Sequence, residues 1–219
     1  MRLRTAFVAL ALLALPACGK EAKPQAAPSP EITRSEGARI AQAAQLRSAD
    51  MPGYRKEPPE ESTDDDGGTC LRDGGPFVAE AETTFSRGRL FVGSTTEVAE
   101  RRELVERDLD YIVSGDFLPC WEAFVTSMVA EDRFSLTGWS SRKLRVKVPK
   151  SDGAFGYVFR FTLRGGKGSV PGRMLFLGAA AGLAEMQVMA LAFGTELPST
   201  AAATGWLTKV TRRARAAGA

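Results

Sequence analysis

The chain has 219 residues, 44% of them hydrophobic and 25% charged, a balance typical of globular proteins that excludes a wholly disordered chain, a collagen and a polytopic membrane protein. Lys and Arg number 29 against 26 Asp and Glu, a net charge of +3, and loss of Arg2 and Arg4 with a leader would leave 27 against 26, too even for a nucleic-acid partner. Histidine is absent, which excludes chemistry that needs an imidazole base or ligand.

Arg2 and Arg4 precede an unbroken apolar run of ten residues, Ala6 to Leu15. A bilayer core of about 30 Å needs roughly 20 such residues, so the run is too short to span it and reads as the core of a signal peptide. Leu15-Pro16-Ala17-Cys18 follows. The segment resembles a bacterial lipoprotein signal, in which a small residue precedes the acylated cysteine. The resemblance implies a signal peptide over 1–17, with Cys18 as the lipidated N-terminus, and an ordinary secretory leader is the alternative. Residues 18–32 then form a Pro- and Ala-rich tether, and 33–216 form the extracytoplasmic domain. Cys70 and Cys120 remain, an even number in an exported chain, and predict a disulfide. It would close a loop of about 50 residues and contribute roughly 4 kcal/mol. Two separate buried thiols are the alternative.

Helix is predicted over 33–49, capped by Thr33 or Ser35, with Ile40, Ala41, Ala44 and Leu46 on one face. It should stop before Met51-Pro52-Gly53. Residues 57–69 read as an acidic loop. Strands are expected around Phe77-Val78-Ala79 and Arg89 to Gly93, with a turn at Arg87-Gly88. Residues 99–113 pattern as an amphipathic helix with Leu104, Val105, Leu109, Ile112 and Val113 buried. A second helix opens near Leu118-Pro119 and carries Cys120, Trp121, Phe124, Val125 and Met128 on one side. Residues 142–164 alternate with period two on both sides of a Pro149–Gly153 turn, which predicts a hairpin with an aromatic face and a basic face. The apolar stretch Met174 to Gly194 is long enough for a transmembrane helix, but it reads better as two buried strands, 173–180 and 184–193, joined at Ala181-Gly182. Glu185 at its centre and its small alanines disfavour the membrane reading. A last helix runs over 199–216, with cations in its final turns. Consecutive strands with tight turns argue for an α+β domain, a single antiparallel sheet flanked by helices.

The layout resembles exported actinobacterial-type sensor-domain lipoproteins, and in pattern the extracytoplasmic sensor domain of mycobacterial receptor-type serine/threonine kinases. The matching features are the helix ending in Ala49-Asp50-Met51-Pro52-Gly53-Tyr54, the acidic loop before Cys70 and the helical pair carrying Cys120. The run Arg173 to Phe193, followed by Leu197-Pro198 and a helix with Leu207 and Arg212-Arg213, matches as well. Those kinase domains usually hold more than one disulfide, whereas here only one can form once Cys18 is used. The resemblance implies an antiparallel sheet flanked by helices, with a ligand-binding cleft.

Asp64-Asp65-Asp66-Gly67 lacks the alternating acids of a calcium loop and reads as a solvated loop, so no metal or cofactor is expected. Gly165-Gly166-Lys167-Gly168-Ser169 lacks the phosphate-loop spacing and a following helix. No nucleophile stands beside a base, and no enzyme is expected. Lys143, Arg145, Lys147, Arg160 and Arg164 form the basic strand face, suited either to anionic headgroups or polymers or simply to water. Trp121, Tyr157 and Phe159 are candidates to line an apolar pocket, the alternative being core packing. The expected function is a membrane-anchored, non-catalytic binding or sensor module for a small molecule, lipid, glycan or other envelope component. The alternative is a structural lipoprotein that touches another envelope protein and binds no small ligand.

Overall fold

A computed structural model describes residues 32–59, 77–131, 133–166 and 168–219. The expected leader and tether up to Glu31, with Cys18, the Asp64–Asp66 stretch and Cys70, lie outside the described residues. The rest is an α+β domain built on one antiparallel sheet of seven strands with four helices. Helix α1 spans Arg34–Ala43 and a short 3-10 turn spans Ser48–Asp50; β1 is Arg55–Lys56, β2 Phe77–Arg87 and β3 Leu90–Ala99. Helices α2 (Arg102–Ser114) and α3 (Leu118–Glu131) follow, then β4 (Ser135–Lys143), β5 (Gly153–Gly165), β6 (Gly168–Ala181), β7 (Ala184–Phe193) and α4 (Thr200–Ala216). The strand order is β1-β2-β3-β7-β6-β5-β4. Two meanders therefore meet where β3 pairs with the last strand, β7.

Local chemistry accounts for most boundaries. Thr33 and Glu36 form a reciprocal capping box at the start of α1, which satisfies two orphan N–H groups. The helix ends at Ala43, earlier than the predicted 49, yet Ile40, Ala41, Ala44 and Leu46 are all buried. The chain leaves the helix there because Gln45, Leu46 and Ala44 bond to the sheet instead. Helix α2 starts at Arg102 and not at 99, since Val98 and Ala99 are still paired in β3. The Ser199 side chain caps α4 by accepting from the Ala202 N–H. The apolar run Met174 to Gly194 forms β6 and β7, two buried strands as its pattern predicted, although β6 begins earlier, at Gly168, and the turn falls at Gly182-Leu183 and not at Ala181-Gly182. No helix among the described residues is long and apolar enough to cross a membrane.

The predicted hairpin arm at 144–148 needs correction. The strand that pairs with β5 is 135–143, with Lys143 opposite Tyr157. Leu144 still donates to the Gly156 carbonyl, and the chain then leaves the ladder and lies against the sheet face. Gly156 permits this, because a Cβ there would stand 2.5 Å from Val146 Cγ2 and 2.9 Å from Leu177 Cδ2. The alternation of Leu144, Val146 and Val148 thus reports packing on a face, with Val148 buried.

The sheet has two unlike faces. Helices α1 and α4 cover one. Its core joins Ile40, Phe85, Val92, Leu177, Met186, Leu207 and Val210. Helix α2 packs on β3, β5 and β6 of the other face, and α3 packs on β4. There the core is aromatic, with Phe117, Phe155, Tyr157, Phe159, Phe161 and Phe176.

Candidate functional site: the aromatic face and its buried carboxylates

The alternation of β5 sends Phe155, Tyr157, Phe159, Phe161 and Leu163 to the α2/α3 face. Tyr157 is buried and donates its hydroxyl to the Ile112 carbonyl at 2.7 Å, which fastens the end of α2 to the sheet; Lys143 Nζ donates to the Val113 carbonyl at 2.6 Å beside it. Trp121 of α3 stacks on Phe176 with centroids 5.4 Å apart and planes 7° from parallel. Phe117 bridges Tyr157 and Trp121 at 5.1 and 6.4 Å, and Trp139 of β4 covers Phe159 at 5.0 Å. Trp121, Tyr157 and Phe159 are therefore brought into one cluster, where each ring meets another ring. Gly178, opposite Phe155 in the ladder, is part of this fit: a Cβ there would fall 2.1 Å from the Phe155 ring.

Beyond this cluster the same face continues over β2, β3 and β7. Thr95 stands opposite Gln187, Gly93 opposite Met189 and Phe91 opposite Leu191. Phe91, Thr95, Gln187, Met189, Leu191 and Phe193 are only half-buried, whereas β3 and β7 residues aimed at the α1/α4 face are buried throughout. The result is a partly covered, mostly apolar strip about 20 Å long, by the rise of six strand residues. Met189, Leu191, Phe91 and Phe193 make its apolar floor, the Trp121–Phe176 stack stands at its side, and Thr95 and Gln187 mark a polar end.

Two glutamates lie behind that polar end. Glu97 and Glu185 are direct cross-strand partners on β3 and β7, each only 1% exposed. Glu80 of β2 is next to Glu97 in the same row, and Asp108 of α2 is buried on the same side. Gln187 Nε2 donates to Glu185 Oε1 at 3.0 Å. Oε2 of Glu97 and Oε2 of Glu185 have no hydrogen-bond partner. Burial pushes the Glu185 carboxyl up to about 7, the Asp108 charge adds to this, and the Gln187 hydrogen bond opposes it. Burial raises Glu97 well above the ordinary range, and the charges of Glu185, Glu80 and Asp108 act in the same direction. Carboxyls side by side in a dry site cannot both ionise cheaply, so the pair retains a proton near neutrality. A protonated carboxyl donates a hydrogen bond, and a neutral acid pair with Gln187 can orient a neutral polar group. Among the described residues no group of His, Cys, Asp and Glu is arranged to hold a metal ion.

The remaining sequence candidates separate. Cys120 sits half-buried on α3; Cys18 and Cys70 lie outside the described residues, and so does the predicted pairing. The basic strand face is divided. Lys143 faces α2, Arg145 and Lys147 sit on the crossing segment, and Arg160 and Arg164 lie on the opposite side of the sheet from Lys143 by register. Sequence reasoning missed Glu97 altogether and met Glu185 only as a polar interruption in an apolar run. The one available signal was a lone acid in each of two strand-like stretches. Their partnership depends on β3 pairing with β7, which no local pattern reveals. The chain matches no protein-family model and no curated protein.

Proposed function

We propose that this chain is a membrane-anchored extracytoplasmic lipoprotein, attached through an acylated Cys18, that serves as a non-catalytic binding or sensor module for a small molecule or envelope component. The observation that carries the binding reading is the unequal covering of the sheet. One face is sealed by α1 and α4, while the other keeps a half-buried apolar row, Phe91, Met189, Leu191 and Phe193, ending at Thr95 and Gln187. That combination of apolar floor and a few convergent polar groups suits an elongated, mostly apolar molecule with one hydrogen-bonding end. The leader and Cys18 support the anchor, and the Cys70–Cys120 disulfide belongs to the same reading.

Thermal-shift screening of the protein against envelope lipids and glycans tests the binding reading. A ligand at 100 times its Kd stabilises by about 2.7 kcal/mol, and Leu191→Glu should remove that shift, read against the melting temperature of the same variant without ligand. Absence of a shift with every lipid and glycan would sink it. The closed aromatic cluster around Trp121, Tyr157 and Phe159 favours a second reading, an interaction lipoprotein that contacts another envelope protein and binds no small ligand. For the anchor, Cys18→Ala should release the protein from the membrane fraction or leave it unprocessed. Retention after leader cleavage would refute acylation.

A further inference from the structure

Five exposed arginines gather at one end of the α1/α4 face. By register, Arg87, Leu90, Ala192, Arg173, Arg160 and Ser140 stand side by side across β2, β3, β7, β6, β5 and β4. Arg142, opposite Val158, lies one step inward on that face, and Arg164, opposite Ser169 and Ser135, lies two steps outward. Arg160 and Arg173 are direct cross-strand partners. Neighbouring strands are about 4.8 Å apart, and like charges placed directly opposite destabilise a sheet. None of the five forms an ion pair among the described residues. Arg87 lies over the Tyr54 ring at 4.5 Å, which fixes its position. The loop leaving this end of β7 adds a single acid, Glu196.

We infer that this arginine ridge docks an extended anionic polymer bearing phosphate or carboxylate groups. Guanidinium forks match both groups in bidentate geometry and keep their charge at any physiological pH. Arg173, Arg160, Arg142 and Arg164 lie together on β6, β5 and β4, and Arg87 stands about 14 Å from Arg173 by three strand spacings, beyond the buried Leu90 and Ala192, so a linear partner with repeated charges can meet several arginines where a small anion meets one pair. An anion lying between Arg160 and Arg173 relieves the repulsion between them.

Position favours a polymer over a bilayer. The tether joins the domain at α1, whose Gly37 packs on Val78, Ala79 and Val98, at the opposite end of the sheet. Eight strand residues separate Val98 from Leu90, about 27 Å. With Cys18 acylated, the ridge lies at the far end of the domain from the point where the tether enters it. This choice rests on the lipid-anchor reading; the preference for anions does not.

The test uses the full chain in neutral detergent, with immobilised long-chain polyphosphate and polygalacturonate as probes. Binding should weaken steeply with salt. Arg160→Gln with Arg173→Gln should weaken it roughly tenfold, the effect of two exposed charge contacts, with a melting temperature equal to or above that of the parent. Arg34→Gln with Arg212→Gln, exposed arginines elsewhere, should change it by less than about twofold. No binding by the parent to either polymer, or equal losses in the two double variants, would overturn the proposal. Stronger competition by micelles doped with phosphatidylglycerol than by polymer at equal phosphate would assign the ridge to a bilayer and overturn it too. Failure of acylation at Cys18 is read separately from membrane release and leaves the polymer affinities interpretable.

Discussion

The two faces of the sheet treat buried polarity in opposite ways. Among the described residues, no fully buried side-chain polar atom under α1 and α4 lacks a partner. Gln45 Nε2 donates to the carbonyls of Ala41 and Ala81, Ser94 donates to Gln45 Oε1, and Leu46 N–H donates to Ser94. Arg213 grips Asp50 through two hydrogen bonds of 2.6 and 3.0 Å, with Lys209 at 3.3 Å. Burial acts to raise the Asp50 carboxyl, but the bonds from Arg213 and the Arg47 N–H hold it down to about 2. Under α2, Glu97 and Glu185 are as deeply buried, yet each leaves an oxygen without a hydrogen bond. Buried polar atoms without partners are uncommon because each forfeits its hydration. The contrast teaches that one face is organised for stability, while the other holds a destabilising pair beside a half-covered apolar strip, the pattern that suits a site.

The comparison can be broken by truncating one apolar residue on each face. Leu207→Ala, fully buried in α4, should lose about 3 kcal/mol. Leu191→Ala, half-buried in the apolar strip, should lose well under half of that, and equal losses in urea unfolding would show the strip to be as tightly packed as the sealed face.

The pH dependence separates the faces next. Glu185 is raised from 4.5 to about 7 in the folded protein, so the unfolded chain gives up this proton first. Stability from this group is greatest below about pH 4.5 and falls as pH rises to about 7, by about 3 kcal/mol for a shift of that size; Glu97 moves in the same direction. Glu185→Gln should abolish this loss and leave the protein more stable at pH 8, as measured by urea unfolding across pH. Asp50 has the opposite sign. Its folded value near 2 lies below the ordinary 3.8, so its stabilisation is full above about pH 4 and is lost as pH falls through 2. Asp50→Asn should lose about 2 kcal/mol at neutral pH and flatten the acid side of the profile.

A smaller effect probes the aromatic packing. Gly178→Ala must push the Phe155 ring aside and should lose about 1–3 kcal/mol, with the near-ultraviolet circular dichroism of Trp121 changed through Phe176. An unchanged spectrum and stability would mean that the cluster is loose enough to admit a ligand.

Elements that announce themselves through local pattern came through the sequence well. The alternating aromatics of β5, the apolar run that became β6 and β7, the Thr33 and Ser199 caps and the amphipathic stripe of α2 all depend on neighbours within a few residues. The errors arose where the sheet overruled local preference. Helix α1 stops early because Gln45 and Leu46 bond to β2 and β3. The 144–148 arm leaves its ladder because the face above Gly156 offers burial.

By itself the sequence determined the fold class, the order of helices and strands and the aromatic side of β5, since period and capping are properties of adjacent residues. Tertiary structure alone decided which strands became neighbours. Inserting β7 between β3 and β6 brought Glu97 to Glu185 across 88 residues, and the register of β5 on β6 set Arg160 against Arg173. Side-chain period tells which way a residue points, but pairing across the sheet is chosen by the summed burial of the whole domain, and that sum is written in no single stretch of chain.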